Sequence, residues 1–398
     1  MKKKRNVIFI FVAVSISIMI LALAVMFVIF DKKDFSDTEN RNLAEFPKFS
    51  FESLLEGEFI AGIEEYLADH FPFRNQFMSL KTAVLKSIGQ DKIGELYLGD
   101  EGFLLEDYNV KPENTNIPID VLNRFYAALP EGKNMSLMLV PTSVEVYGDK
   151  LPKFATNTSQ KAVIDFVYDS IDFNGIDVYD FLMAARNSRC DCIEENSIFG
   201  NHQPDKSIEE ELKLYYKTDH HWTTYGAYLG YASYMRFLGA EVNEAPEFEK
   251  VTDEFYGTFY SKLIDNSLEK ESMYKLKDEE SQYIVKNVAL NKVTNTLYED
   301  KWLGEKDKYS YFLGQNQALL EIENKTVQND KKILIIKDSY ANAMVPFIAK
   351  EYKFVYVIDP RMYRMKVSDY IIENDIDEVL LVYNMKTVET DLGIRALR

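Results

Sequence analysis

The stretch that decides the fold is Ile333-Leu334-Ile335-Ile336-Lys337-Asp338-Ser339, in which a short apolar run ends at a charged turn and a serine. A continuous apolar run of this length is typical of a strand buried on both faces of a parallel sheet. Similar runs follow at 354–358 and 379–383, and helices are predicted between them over 341–351 and 366–374. Strands that alternate with helices predict an α/β fold, in which a parallel sheet is flanked by helices.

The same alternation is present earlier in the chain. Leu137-Met138-Leu139-Val140 and Ile176-Asp177-Val178-Tyr179-Asp180 are further candidate strands. Apolar residues at helical spacing predict helices over 159–171, 205–217 and 223–238, and Thr223 or Thr224 is the candidate N-cap of the last of these. The sheet is therefore expected to include strands from both halves of the chain.

The N-terminus has the pattern of a membrane anchor. Lys2-Lys3-Lys4-Arg5 precedes an uncharged stretch over 7–30. As a helix, that stretch would be about 36 Å long, which is enough to cross a hydrocarbon core of about 30 Å. Because basic residues stay on the cytoplasmic side, we expect 1–6 to be a cytoplasmic tail, 7–30 a transmembrane signal anchor, and the rest extracytoplasmic. A cleaved signal peptide is the alternative, although its apolar core is usually shorter and ends in a small-residue cleavage site.

The remainder divides by composition. Residues 31–50 are polar and charged and are interpreted as a tether, and 51–398 as one extracytoplasmic α/β domain. Within that domain, 51–90 has the spacing of amphipathic helix, and this helix is expected to stop at 69–74, because Pro72 disfavours helix at Phe71. Residues 250–330 are polar, rich in Tyr and Lys, and contain alternating patches, which predict a β-rich antiparallel insertion or side sheet.

Charge and cysteine content limit the possible partners. The net charge of −18 argues against nucleic acid, because an acidic surface repels phosphates. Cys190 and Cys192 form a Cys-x-Cys, in which a disulfide would close a strained one-residue loop, so we interpret them as a local loop feature. No cofactor and no metal are expected.

The candidate site begins with Asp219-His220-His221-Trp222, which contains two of the four histidines of the chain. Imidazole titrates near neutral pH, so a histidine beside an aspartate is a common general base. A serine hydroxyl needs such a base to become a nucleophile. Ser339 follows a predicted strand and precedes a predicted helix, which would present its hydroxyl at the sheet edge. We therefore predict a triad of Ser339, His221 and Asp219.

Other polar and aromatic side chains are expected near this edge. Asn384 ends the last predicted strand and could donate to an oxyanion, together with backbone N–H groups at the start of the helix after Ser339. Arg361 could bind an anionic or polyhydroxyl substrate, or could pair with a neighbouring carboxylate. Trp222 and Tyr340 could stack on a sugar face or pack in the core. Asp338 is interpreted as a structural residue of the turn.

These residues resemble the DHHW family and are similar to the alginate O-acetyltransferase group of SGNH-type enzymes. The matching motifs are Glu39-Asn40-Arg41, Leu43-Ala44-Glu45-Phe46-Pro47, Asp69-His70-Phe71-Pro72-Phe73-Arg74, Leu98-Gly99-Asp100-Glu101-Gly102-Phe103-Leu104, Val140-Pro141-Thr142, Asp219 to Trp222, Lys337-Asp338-Ser339-Tyr340 and Ile358-Asp359-Pro360-Arg361. The resemblance implies an SGNH-hydrolase-like fold with permuted blocks, in which Asp219 is the orienting acid, His221 the base and Ser339 the nucleophile. SGNH enzymes usually have Gly-Asp-Ser where this chain has Lys337-Asp338-Ser339. This departure puts the oxyanion hole in doubt more than the triad.

The resemblance implies a membrane-anchored extracytoplasmic O-acyltransferase that modifies a cell-surface or exported polysaccharide. The acyl group that it implies is acetyl. The resemblance also implies a membrane-embedded acyltransferase protein as the donor of the acyl group. A carbohydrate esterase with the same triad is one alternative, since it differs only in using water as the acceptor. A metal-dependent hydrolase is a second alternative, with ligands from among His202, His220, His221, Asp219 and the cysteines. A non-catalytic glycan-binding or assembly protein is a third.

Overall fold

The computed structural model describes residues 2–30, 32–36, 41–187, 213–240, 242 and 246–398. Cys190, Cys192, His202 and most of the helix predicted over 205–217 lie outside these residues. The chain forms two compact units, one of residues 1–90 with 261–267 and one of 91–260 with 268–398. The predicted start of the α/β domain at residue 51 differs from this division, which groups 51–90 with the N-terminal unit.

The regular elements of the described residues are numbered in chain order. The helices are α1 (Lys2–Ile29), α2 (Phe51–Leu55), α3 (Glu58–Asp69), α4 (Arg74–Ser87), α5 (Asn116–Ala127), α6 (Ser143–Val146), α7 (Gln160–Ser170), α8 (Tyr179–Asn187), α9 (Thr224–Phe237), α10 (Thr258–Leu263), α11 (Val345–Ile348), α12 (Val367–Glu373) and α13 (Leu392–Arg395). The strands are β1 (Phe35–Ser36), β2 (Arg41–Asn42), β3 (Lys92–Ile93), β4 (Leu96–Leu98), β5 (Leu104–Glu106), β6 (Asn134–Val140), β7 (Asn174–Ile176), β8 (Phe248–Phe255), β9 (Glu271–Leu276), β10 (Tyr283–Asn287), β11 (Lys292–Thr294), β12 (Leu319–Asn324), β13 (Lys332–Lys337), β14 (Phe354–Ile358) and β15 (Glu378–Asn384).

The N-terminal unit is helical apart from a short β1–β2 pair. Within α1, the span Phe9–Ile29 is long and apolar enough to cross a membrane, a property it shares with signal sequences. The segment predicted to be helical over 51–90 forms three helices, and the predicted stop at 69–74 is observed. Gly57, with φ of 82°, separates α2 from α3, and Pro72 separates α3 from α4, because a proline disfavours helix at the residue before it.

The second unit is built on an eight-stranded mixed sheet with the strand order β11-β10-β12-β14-β13-β15-β6-β7. The five strands from β14 to β7 are parallel, and β10, β11 and β12 continue the sheet with antiparallel pairing. The centre is fully buried, since the apolar residues from Ile333 to Ile336 and from Leu380 to Tyr383 are all 0% exposed. The prediction of an α/β fold is therefore confirmed.

The sheet differs from the prediction in two respects. A parallel sheet was expected, but the observed sheet is mixed. The connection from β12 to β13, residues 325–331, is too short for the crossover that parallel strands need, so β12 runs antiparallel to β13 and β14. The predicted β-rich insertion is also divided. Its strands β10–β12 extend the main sheet, and only β8 and β9 form a separate antiparallel pair.

Two predicted elements have different ends. The strand predicted over 176–180 stops at Ile176, because Asp177 accepts a hydrogen bond from the Asp180 N–H and begins α8. The helix predicted over 341–351 is a 3₁₀ turn at Ser339–Ala343 followed by the short α11. Pro346 lies in the first turn of α11, where a proline is tolerated because the first N–H groups of a helix have no partner within the helix. A continuous helix from Ser339 would place Pro346 in its interior, where the missing N–H would break a hydrogen bond.

Candidate active site

Ser339 lies where β13 ends and the 3₁₀ turn Ser339–Ala343 begins. The turn is capped by Asp338, whose Oδ1 accepts a hydrogen bond from the Tyr340 N–H at 2.8 Å. Asp338 and Tyr340 are buried, whereas Ser339 between them is partly exposed. The end of the strand therefore presents the serine hydroxyl to solvent from a fixed backbone.

The loop that carries the histidines is closed at its base. Tyr215 and Trp222 form an antiparallel bridge, and the Thr223 N–H donates to the Leu214 carbonyl at 2.9 Å. Thr223 then caps α9, since its hydroxyl accepts a hydrogen bond from the Gly226 N–H. The predicted helix over 223–238 and its predicted cap are confirmed. The indole of Trp222 donates to the Tyr340 carbonyl at 2.9 Å, which ties this loop to the serine turn.

Three side chains form a continuous hydrogen-bonded line. His221 Nδ1 lies 2.6 Å from Asp219 Oδ1, and His221 Nε2 lies 2.8 Å from Ser339 Oγ. The His221 backbone N–H also donates to Asp219 Oδ1, at 2.9 Å. The predicted partners are thus brought together across 118 positions of sequence in the order acid, imidazole, hydroxyl, which is the arrangement that activates a serine.

The electrostatic environment favours a charged acid and a neutral base. Burial alone would raise the pKa of Asp219, but the two neighbouring imidazoles and the hydrogen bonds from His221 and the Thr258 N–H hold it well below its usual range. Burial, together with the nearby His220, lowers the pKa of His221 to about 4 in spite of Asp219. At neutral pH the imidazole is therefore unprotonated and able to accept the serine proton.

Gly257 lies directly against the acid. A Cβ at this position would be 2.2 Å from Asp219 Cβ and 2.4 Å from Oδ2, far inside van der Waals contact. We expect Gly257→Ala to displace Asp219, to lower activity by more than about tenfold, and to destabilise the fold by about 1–3 kcal/mol, as overpacking usually does. Steady-state rates and thermal unfolding of the purified variant measure both effects. Gly148→Ala is the matched control, because no other atom lies within 4 Å of its added Cβ. Equal activity in the two variants would contradict this prediction.

Tyr309 is a site residue that sequence reasoning missed. Its ring stacks on the His221 imidazole with the centroids 3.6 Å apart and the planes 8° from parallel. It lies in the 3₁₀ turn Lys308–Tyr311 of the segment interpreted as a β-rich insertion. No motif marks it, and only the folding of that segment over the histidine loop shows the contact. The stacked ring restricts the imidazole to one orientation.

The predicted oxyanion residue faces a different partner. Asn384 is buried, and both its backbone N–H and its side-chain amide donate to Asp338 Oδ2, at 2.8 and 2.7 Å. Thr387 donates to the same carboxylate oxygen at 3.0 Å. The amide nitrogen of Asn384 therefore holds the residue that caps the serine turn. Of the N–H groups at the start of that turn, the one of Tyr340 is likewise bound to Asp338.

The other predicted substrate contacts are internal. Arg361 forms a two-point ion pair with Asp359, at 2.8 and 2.6 Å, so the carboxylate-pairing alternative describes its contacts. Trp222 and Tyr340 are both 0% exposed, and the Tyr340 hydroxyl donates to the His220 carbonyl. Because no face of either ring reaches solvent, the expectation that they stack on a sugar is corrected to core packing.

Lys337, at the position where the resemblance leads us to expect a glycine, is buried. Its ammonium donates to Asn316 Oδ1 at 2.8 Å, and burial lowers the pKa of Lys337 to about 8. The Asn342 amide points to the same Asn316 oxygen at 3.4 Å. Lys337 ends β13 just before the turn and Asn342 lies within the turn, so Asn316 contacts residues at both ends of it.

The metal alternative has one candidate group in the described part of the chain. Asp219, His220 and His221 each have a potential ligand atom, and these atoms lie within 4.8 Å of one another. Both ring nitrogens of His221 are hydrogen-bonded, one to Asp219 and one to Ser339, and His220 Nδ1 lies 2.8 Å from the Thr258 hydroxyl. An ion here would have to replace one of these bonds, so the geometry fits a hydrogen-bonded triad better.

Comparisons with known proteins agree with this fold. A DHHW family protein from Eubacterium siraeum has 22% identity and a TM-score of 0.61, over 76% of this chain and 94% of its own. PatB1 of Bacillus cereus, whose structure contains a sulfonyl adduct, has 21% identity and a TM-score of 0.59, over 77% of this chain and 100% of its own. The O-acetyltransferase domain of Pseudomonas putida AlgJ has 11% identity, over 75% of this chain and 94% of its own, and its TM-score of 0.42 is too low to support an argument. At these identities the similarity shows the fold alone. No curated protein sequence matches the chain significantly.

The sequence itself matches a family model. The model, described as DHHW protein, covers residues 39–102 and 204–358, which is more than half of the chain. The matched part contains the acid, the base and the serine of the hydrogen-bonded line. The chain therefore belongs to the DHHW protein family.

Proposed function

We propose that the protein is a membrane-anchored, extracytoplasmic O-acyltransferase that transfers an acetyl group to a cell-surface or exported polysaccharide through Ser339, His221 and Asp219. The observation that carries the proposal is the unbroken line of hydrogen bonds from a buried carboxylate through a neutral imidazole to a partly exposed hydroxyl. The order of these residues, with the acid and base before the serine, supports an SGNH-like fold with permuted blocks.

The geometry supports a two-step mechanism. His221 Nε2 takes the proton of Ser339 Oγ as the oxygen attacks the carbonyl carbon of the acyl donor, and Asp219 stabilises the imidazolium that forms. The tetrahedral intermediate then collapses to an acyl-serine. The oxygen of the donor leaves and receives the proton from His221. A sugar hydroxyl loses its proton to His221 and attacks the acyl-serine, and Ser339 recovers its proton when the acetylated sugar departs.

The N-terminal helix supports the proposed location. The apolar span Phe9–Ile29 follows the basic residues 2–5, which favours a cytoplasmic N-terminus and an external catalytic unit. An external enzyme has no direct access to cytoplasmic acyl thioesters. A membrane-embedded acyltransferase that passes the acetyl group across the bilayer would supply the donor.

Product analysis separates this proposal from its alternatives. Full-length protein in detergent is given an activated acetyl ester with and without a polysaccharide acceptor, and the products are analysed by mass spectrometry. We expect acetylated glycan to appear, and to be lost in His221→Ala. Free acetate alone in the presence of acceptors would favour the esterase, and no turnover would favour a binding protein. Activity that a chelator abolishes but Ser339→Ala retains would establish the metal-dependent hydrolase instead.

A further inference from the structure

The surface of residues 46–88 is unusually apolar, and we call this segment the apolar layer. Thirteen large apolar side chains in it are exposed, against eleven in the whole described part of 91–398. The density of exposed apolar groups is therefore several times higher here than in the second unit. Contiguous exposed apolar surface of this kind marks an interaction site.

The exposed apolar side chains are arranged regularly, and the helix α4 shows this most clearly. Its apolar stripe is spaced by three, four and four residues and lies on one face: Phe77, Leu80, Val84 and Ile88, all 46–70% exposed. The opposite face contacts the protein. There the Thr82 hydroxyl donates to the Leu263 carbonyl, and Lys86 pairs with Asp265 at 2.5 Å. The apolar stripe of α4 thus faces outward while its one buried residue is the polar Thr82, which is the reverse of a helix on a water-soluble surface.

Contacts with α1 indicate what covers this face. Phe27 and Phe30, at the end of the apolar span, pack edge-on against Tyr66 and Phe73, with ring centroids 6.2 and 5.4 Å apart. Phe71 in turn contacts Phe77 of the stripe at 5.5 Å. If α1 crosses a bilayer, its end lies at the lipid–water interface, and these contacts hold the apolar layer at the same level.

The lengths and charges of the helices favour an interfacial position. α3 has 12 residues and α4 has 14, which is too short to span a hydrocarbon core. Acidic and basic residues are mixed along the segment, so attraction to lipid headgroup charge is small and burial of apolar side chains provides the affinity.

We propose that the apolar layer binds the surface of the bilayer, with the α4 stripe in the boundary between headgroups and acyl chains. This rests on the membrane anchor of the proposed function. The N-terminal unit would then be held to the membrane by a spanning helix and by a second, monotopic contact.

Tryptophan quenching tests this directly. Full-length Leu55→Trp and Leu80→Trp variants are reconstituted into vesicles of phosphatidylcholine brominated on the acyl chains, and their emission is compared with that in unbrominated vesicles. We expect most of the emission added by each new tryptophan to be quenched. Phe154→Trp is the matched control, since Phe154 is 84% exposed but belongs to the second unit, and its emission should be unaffected. The unsubstituted protein, with Trp222 and Trp302, provides the baseline.

A fourth variant separates the layer from the anchor. Ile18→Trp, in the middle of α1, reports whether that helix enters the lipid. Quenching at Ile18→Trp but not at Leu55→Trp and Leu80→Trp would overturn the proposal while leaving the anchor intact. If the two layer variants are not quenched and the protein forms dimers as its concentration rises, the apolar layer binds a second copy of the chain and not the bilayer. If Ile18→Trp is not quenched, the anchor itself fails, and the bilayer proposal fails with it.

Discussion

Ser339→Ala should abolish acyl transfer, with a loss of at least about 10³-fold in kcat, the size expected when the nucleophile of a serine triad is removed. Ser339 Oγ is the hydroxyl at the partly exposed end of the hydrogen-bonded line, and alanine leaves the imidazole without a proton to accept. The measurement is acetyl transfer by the full-length protein, together with labelling by a sulfonyl fluoride. Wild type should be labelled and Ser339→Ala should not.

Ser233→Ala is the matched control for that experiment. Ser233 is also in the second unit and is buried in α9, where its hydroxyl donates to the Gly230 carbonyl at 3.0 Å. Its removal should leave labelling and turnover unchanged. Equal labelling of Ser339→Ala and wild type would show that the reactive group is elsewhere, and the proposed nucleophile would be wrong.

The parts of this site that could be predicted are those that depend on local pattern. The apolar run before Ser339, the acid beside His221 and the cap at Thr223 each depend on a few adjacent residues, and the buried strand, the hydrogen bond and the helix start are all observed. The pairing of Ser339 with His221 could also be anticipated, but from chemistry and not from topology, because a serine nucleophile needs a base and His221 lies in the loop before α9.

The parts that could not be predicted depend on segments distant in sequence. Tyr309 stacks on His221, and Gly257 packs against Asp219, only because the segment after α9 folds back over the histidine loop. Neither residue belongs to a motif. The contact of Asn384 with Asp338 could not be predicted for a related reason. Its position at a strand end was correct, but Asp338 accepts its amide hydrogen, and this competition between polar neighbours is settled by distances that a sequence does not contain.

The buried side chain of Trp222 fixes the position of the histidine loop relative to the serine turn. The indole is fully buried and hydrogen-bonded to the Tyr340 carbonyl, one residue from the nucleophile. The loop and the serine turn are thus joined by a core side chain, so the 2.8 Å distance between His221 and Ser339 does not depend on a flexible surface contact. The last residue of the motif that names the family is a structural residue of the site.

Asp219→Asn should lower kcat by about 10²–10⁴-fold while the protein stays folded, because the equivalent change in other serine triads leaves the imidazole in the wrong tautomer. One carboxylate oxygen of Asp219 accepts two N–H groups of His221, and the other accepts the Thr258 N–H. An amide nitrogen at either position meets a donor. If it faces the imidazole, Nδ1 must accept and Nε2 carries the proton, so the base can no longer receive one from Ser339. If it faces Thr258, a buried N–H loses its partner, which costs about 1–3 kcal/mol of stability.

His220→Ala is the control that assigns the effect of Asp219→Asn to the acid. His220 is adjacent to Asp219 in sequence, but its side chain is 34% exposed and its Nδ1 contacts the Thr258 hydroxyl. We expect its kcat to stay within a few-fold of wild type. Measuring kcat and the unfolding midpoint for both variants separates loss of chemistry from loss of structure. A kcat for Asp219→Asn close to that of His220→Ala would mean that His221 is oriented mainly by Tyr309 and the backbone, and the triad would reduce to a pair of Ser339 and His221.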